Sequence, residues 1–245
     1  MPVLKRIGLV GGMSPESTKE YYSALVALAR KTFGDGSDNP EIVIYSINLS
    51  VMTAHMSKGR HKEVVELLSR AFEGLAKAGV EVAALTANTP HIFFDELKAR
   101  SAVPLVSIID AAYEHAKVRK FKKVLLTGTR HTMASEMYPK AFARCGITVI
   151  VPDDAERQLI DNAIRKELTH GILLPKTRRS FIDIGLRHIK EDGVDCVILG
   201  CTEIPLLLKE GDLPVPLLDT TQVHAEAIFK VAWTKEDDRK VKNKK

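Results

Sequence analysis

Two short segments of the chain combine residue types that can move protons beside a small anion. One is Gly200-Cys201-Thr202-Glu203, which sets a thiol, a hydroxyl and a carboxylate in succession. The other is Thr86-Ala87-Asn88-Thr89-Pro90-His91, with two hydroxyls, an amide and an imidazole. Gly11-Gly12-Met13-Ser14 and Gly128-Thr129-Arg130-His131-Thr132 are likewise rich in glycine and hydroxyls. Each segment follows an apolar run, and open α/β sheets bind ligands at the carboxyl ends of their strands. Backbone N–H groups at helix starts, joined by Thr and Asn side chains, make a site for a small anion such as a carboxylate. Phosphate is the rival anion, but GGMS fits neither GxGxxG nor the phosphate-binding GxxxxGK pattern.

Cys201 is the sharpest single residue. Its flanks are polar, and loop amides at a strand end favour a thiolate, so it is the candidate catalytic group. Cys196, inside an apolar run, reads as a small hydrophobe, and Cys145 as a packing residue at a helix end. His91 reads first as a capping or packing residue and second as a base. Glu203 and Glu16 read either as general bases or as charges favoured at the positive end of a helix. With no CxxC pair, and no metal-ligand spacing among His131, His188 and His224, neither a disulfide framework nor a metal site is expected.

These residues need a scaffold, and the rest of the chain supplies one. Strand-like runs at 6–10, 42–48, 80–85, 105–108, 123–127, 148–151, 196–199 and 216–218 alternate with helix-period stretches. The helical stretches lie at 17–32, 62–77, 134–144, 154–169 and 176–191. That alternation predicts βαβ units and mainly parallel sheets covered by helices. The segment GVEVAALTANT at 79–89 also echoes GVDCVILGCTE at 193–203 without a gap, which sets Ala87 opposite Cys201. A weaker echo pairs RIGLVGGM at 6–13 with KVLLTGTR at 123–130. Two related lobes explain both. The expected fold is therefore α/β, with two pseudo-symmetric three-layer lobes of mainly parallel sheets facing each other across a cleft. The expected boundaries are 1–104 plus 219–234 for the N-terminal lobe and 105–218 for the C-terminal lobe. A basic tail follows at 235–245.

Composition narrows the class. The chain has 245 residues, 45% hydrophobic and 27% charged, as a soluble globular protein does. No apolar run reaches the roughly 20 residues of a membrane span, and no secretory signal opens the chain. A cytoplasmic protein is expected, with no membrane partner. The net charge of +5 is concentrated in the tail, and no basic face interleaved with aromatics occurs, so no nucleic-acid partner is expected.

At these residues the chain resembles the aspartate/glutamate racemase superfamily, most of all its aspartate racemase branch. The carrying motifs are IGLVGGMSPEST at 7–18, ANTPHIF at 87–93, LLTGTRHTM at 125–133 and ILGCTEIPLLL at 198–208. The likeness spans about residues 5–232. It implies two pseudo-symmetric α/β lobes with the active site in the cleft between them, a small-molecule amino-acid or carboxylate substrate, a homodimer, and catalysis without pyridoxal phosphate or any other cofactor or metal. It also implies two acid/base residues, one from each lobe, on opposite faces of the substrate α-carbon. Carried over by motif, Cys201 is the C-lobe acid/base. Asn88, Thr89, Thr129, Thr132 and Thr202 hold the carboxylate and amino ends, and Met13 and Glu203 are further cleft residues.

The departure is at Ala87, which stands where the family's N-lobe acid/base is a cysteine or a threonine. Thr86 or a water is the substitute to consider. Met52 and Met56 take the inward positions where relatives specific for acidic substrates place polar groups, and Thr169 stands where they keep a lysine. The resulting expectation is a cofactor-independent amino-acid racemase, either of altered substrate range or impaired because Ala87 replaces the N-lobe acid/base. The alternatives are a single-cysteine lyase or decarboxylase, or a catalytically silent amino-acid-binding module.

Overall fold

The structure is a computed structural model that describes residues 3–34 and 39–234. The tail expected at 235–245 lies outside the described residues. The chain forms two compact units. Of the described residues, the first comprises 3–86, 93–107 and 224–234, and the second Ala87–Ile92 and Ile108–Val223. The segments 87–92 and 219–223 thus group with the second unit and 105–107 with the first, against the boundaries at 104 and 218 read from sequence.

The first unit holds β1 (Val3–Leu4), β2 (Ile7–Gly11), β3 (Ile42–Ser46), β4 (Val82–Leu85) and β5 (Leu105–Val106). The last four make a parallel sheet in the order β3-β2-β4-β5. Ile7, Leu9, Val82 and Ala84 point to one face, where Tyr21, Leu25 and Ala29 of the helix Pro15–Phe33 cover them. The four-residue spacing of that helical stripe turns one face of the helix to the core. The helix His61–Lys77 buries Val64, Leu68, Phe72 and Leu75 in the same manner.

The second unit repeats the plan with β6 (Lys123–Gly128), β7 (Thr148–Ile150), β8 (Cys196–Gly200) and β9 (Leu217–Asp219), ordered β7-β6-β8-β9 and all parallel. Strand alternation divides its core in two. Leu125, Val197 and Leu199 meet the helices Asp154–Lys166 and Pro175–Asp192 on one face. Val124, Leu126, Cys196 and Ile198 meet Ile108–Val118 and Met137–Ala143 on the other. Helices on both faces make this a three-layer unit. β10 (Trp233–Thr234) pairs antiparallel with β1.

The two sheets have the same strand order, and the sequence echo has a physical content. Gly79 and Gly193 both turn with positive φ, 75° and 69°. The carboxylate two residues later then receives backbone N–H groups at the start of the neighbouring central strand. Glu81 accepts from Arg6 N, and Asp195 accepts from Lys122 N and Lys123 N.

Two helices differ from expectation. The stretch 134–144 forms no single helix, because Ser135 is extended (φ −86°, ψ 154°) and separates Arg130–Ala134 from Met137–Ala143. Its Oγ donates to Thr132 O, the local competition by which serine interrupts helices. The helix begun at Asp154 ends at Lys166 and gives way to a 3-10 turn, Leu168–His170, closed by Gly171 at φ 71°.

Candidate active site

β6 and β8 are paired so that Gly128 lies beside Gly200. A Cβ on Gly200 would come 2.6 Å from Thr127 O, and one on Gly128 2.8 Å from Gly200 O. Glycine is therefore required where the two strand ends close up. Thr129 and Cys201, the next residues, leave neighbouring strand ends side by side.

Cys201 is 8% exposed and packs among Leu199, Ile204 and Met133. Its thiol donates to Glu203 Oε2 at 2.9 Å, and the Thr202 hydroxyl donates to the same oxygen at 3.0 Å. Burial pushes the Cys201 thiol well above its ordinary pKa, and the Glu203 charge pushes it further. The thiolate expected from the loop amides is thereby corrected. Backbone hydrogen bonds from Thr202 and Glu203 do favour the anion, but they are outweighed.

Thr89, Thr129 and Thr132 bring three hydroxyl oxygens together, at 2.9 Å, 3.0 Å and 3.3 Å. Thr129 is also the N-cap of the helix Arg130–Ala134 and accepts from Thr132 N. The buried carboxylate of Asp161 anchors this loop by accepting from Arg130 N. Asn88 is held on both sides. Tyr138 OH donates to its Oδ1 at 2.6 Å, and its Nδ2 donates to Thr220 Oγ1 at 3.1 Å. Tyr138 and Thr220 were missed in the sequence. Thr220 directly follows β9, so the strand-end rule could have found it. Tyr138 gave only the weaker signal that a buried phenol needs a partner.

His91 has a structural job. Its Nδ1 is 2.8 Å from Ala87 O, and its Nε2 accepts from Ile108 N at 3.2 Å. Burial lowers its pKa to about 4. It is a neutral ring that ties the start of the segment 87–92 to the backbone at Ile108.

The remaining candidates belong to the first unit. Thr86 is fully buried, and its hydroxyl donates to Val10 O on the neighbouring strand at 3.2 Å. Its one proton is committed to the sheet, which removes the case for Thr86 as a substitute at position 87. Met13 is buried in the turn that leads to the Ser14 cap of Pro15–Phe33. That turn needs Gly12, at φ 86° with Ile47 O against its Cβ position. Met56 is half-buried on the helix Leu49–Ser57.

Among the described residues, no group of three or more His, Cys, Asp or Glu could hold a metal ion. No described helix is long and apolar enough to cross a membrane.

The second unit thus carries a buried thiol–carboxylate pair and a three-hydroxyl cluster at the ends of two paired parallel strands. The chain belongs to the Asp/Glu/Hydantoin racemase family, whose model matches residues 10–228. This is a family of isomerases. The broad specificity amino-acid racemase RacX of Bacillus subtilis is 25% identical over 90% of this chain and 95% of its own length. An aspartate racemase homologue from Pyrococcus horikoshii OT3 is 37% identical and superposes with TM-score 0.79, over 94% of this chain and 99% of the other. The aspartate racemase of Picrophilus torridus shares the fold, with TM-score 0.76 at 23% identity over 96% and 98% of the two chains.

Proposed function

We propose that this protein is a cofactor-independent amino-acid racemase in which Cys201 exchanges a proton with the substrate α-carbon. The observation that carries the reading is the buried Cys201 thiol donating to Glu203 at the end of β8. An α-proton of an amino acid is weakly acidic, so its abstraction needs a strong base. A thiolate desolvated beside a carboxylate is a stronger base than one in water, which narrows the gap between donor and acceptor. In the return direction the same thiol gives its proton to the carbanion. The hydroxyls of Thr89, Thr129 and Thr132 and the amide of Asn88 suit the carboxylate, whose charge grows in the enolate-like transition state.

Ala87 carries no proton, and the Thr86 hydroxyl is committed to Val10 O. This favours a second reading, in which the enzyme exchanges the α-proton on one face only or releases carbon dioxide from a malonate-like acid. RacX bears the description broad specificity, which supports a wide range of amino-acid substrates here. By family likeness we extend the reading to a PLP-independent, cytoplasmic homodimer.

Incubation with L- and D-amino acids in deuterium oxide tests both. Deuterium incorporation with loss of optical rotation is the expected result. Incorporation with rotation retained selects the one-sided reading. No exchange by the native chain or by Ala87→Cys overturns the racemase.

A further inference from the structure

Asn88 is buried, 4% exposed, and the orientation of its side-chain amide follows from its neighbours. Thr220 Oγ1 lies 2.8 Å from Leu199 O, a carbonyl that can only accept, so the single Thr220 proton points there. The Asn88 atom facing Thr220 at 3.1 Å must then be the donor, Nδ2. The other amide atom is Oδ1, and the Tyr138 phenol, 2.6 Å away, must donate to it. A one-way chain of donors runs from Tyr138 through Asn88 and Thr220 to the carbonyl of Leu199 in β8, two residues before Cys201. Each step fixes the next, so the amide cannot flip without leaving two buried groups unpaired. The second Nδ2 hydrogen is used by no described residue.

We propose that Tyr138 is a positioning residue that fixes the Asn88 amide so that its second N–H is presented as a donor to the substrate carboxylate. The inference rests on the racemase reading above. The phenol itself takes no part in proton transfer. It is fully buried, and burial raises its pKa, so it keeps its proton and stays a donor. Its ring packs on Phe142, at 5.7 Å between centroids, and a phenylalanine can preserve that contact.

Tyr138→Phe tests the assignment through steady-state kinetics of α-proton exchange, with L- and D-aspartate, glutamate, methionine and lysine as the panel. Loss of one positioning hydrogen bond is expected to raise KM about five- to tenfold, with kcat within about twofold. In an Asn88→Ala background, which lacks the amide, adding Tyr138→Phe is expected to change KM no further. If Tyr138→Phe fails to fold by thermal melt, the other anchor serves. Thr220→Val should raise KM, and Thr220→Ser, which keeps the hydroxyl, should bring it back towards the native value.

Unchanged KM in Tyr138→Phe, or an added rise on top of Asn88→Ala, overturns the positioning role alone. A native chain that neither exchanges nor binds any panel member by calorimetry overturns the racemase reading, and this inference with it.

Discussion

The sulfur of Cys201 lies 2.9 Å from Oε2 of Glu203, and both side chains are buried, at 8% and 3% exposure. A buried thiol next to a carboxylate is held in its protonated form, because the thiolate would lose hydration and meet a like charge. The pairing suits a residue that must be an acid towards a carbanion and a very strong base in the reverse step. It also makes the resting enzyme unreactive towards electrophiles, a consequence that can be measured.

Iodoacetamide at neutral pH should alkylate the exposed Cys145 well before Cys201. Glu203→Gln removes the like charge and should speed labelling of Cys201, because a larger thiolate fraction reacts faster. Peptide mass spectrometry of a time course reads both rates. Equal labelling of Cys145 and Cys201 in the native chain would contradict the raised pKa.

Ala87→Cys should supply a second acid/base and speed inversion at the α-carbon. The site is buried and the cysteine side chain is only slightly larger, so overpacking should cost about 1–3 kcal/mol at most. Polarimetry with the best substrate should show racemisation at least about tenfold faster than in the native chain, the scale of positioned acid–base catalysis being 10²–10⁴-fold. A rate equal to that of the native enzyme would mean that position 87 does not face the α-carbon.

Thr89→Val removes one hydroxyl of the three-threonine cluster without changing side-chain shape. Thr89 caps no helix in the cluster, whereas Thr129 does, so the effect should fall on binding. KM should rise about five- to tenfold while the unfolding free energy changes by about 1 kcal/mol or less. Thr129→Val should lose a similar amount of binding and in addition about 1 kcal/mol of stability through its cap.

His91 makes stability depend on pH. Its pKa falls from 6.5 to about 4 in the folded chain. Between those values the unfolded chain binds the proton and the folded one does not, so stability falls as pH drops. The contribution is complete above pH 6.5 and is lost progressively towards pH 4, by about 3 kcal/mol at ~1.4 kcal/mol per unit. Urea unfolding at pH 7 and pH 5 should show this decline in the native chain and a flatter one in His91→Gln. The same decline in both would assign it to other groups.

The echoed carboxylates should differ in weight. Asp195 accepts two backbone N–H groups and is partly buried, whereas Glu81 accepts one and is exposed. Asp195→Ala should destabilise by about 1–3 kcal/mol and Glu81→Ala by about 1 kcal/mol or less. Denaturant midpoints compare them, and a larger effect at Glu81 would refute the shared role inferred from the repeat.

Much of this molecule is readable from neighbours along the chain. Apolar runs such as VILG at 197–200 with small polar residues behind them mark buried parallel strands and their ligand-binding ends. The echo of GVEVAALTANT in GVDCVILGCTE corresponds to two sheets of identical strand order. Those signals are local, because strand alternation, helix period and turn glycines are set within a few residues. The break at Ser135 was hidden because its cause, a side chain returning to the carbonyl of Thr132, competes with a helical pattern that continues on both sides.

The state of the site was decided only in three dimensions. The sequence placed Cys201 at a strand end but could not say that it would be desolvated and faced by Glu203, so a thiolate was the natural expectation. Thr86 looked available until the parallel pairing of β4 with β2 brought Val10 O to its hydroxyl. Asn88 takes its orientation from Tyr138, 50 residues away, and from Thr220, 132 residues away. Solvation and hydrogen-bond direction depend on what arrives through space. The sequence therefore determined which residues stand at the strand ends, and the tertiary structure decided which of them hold their protons.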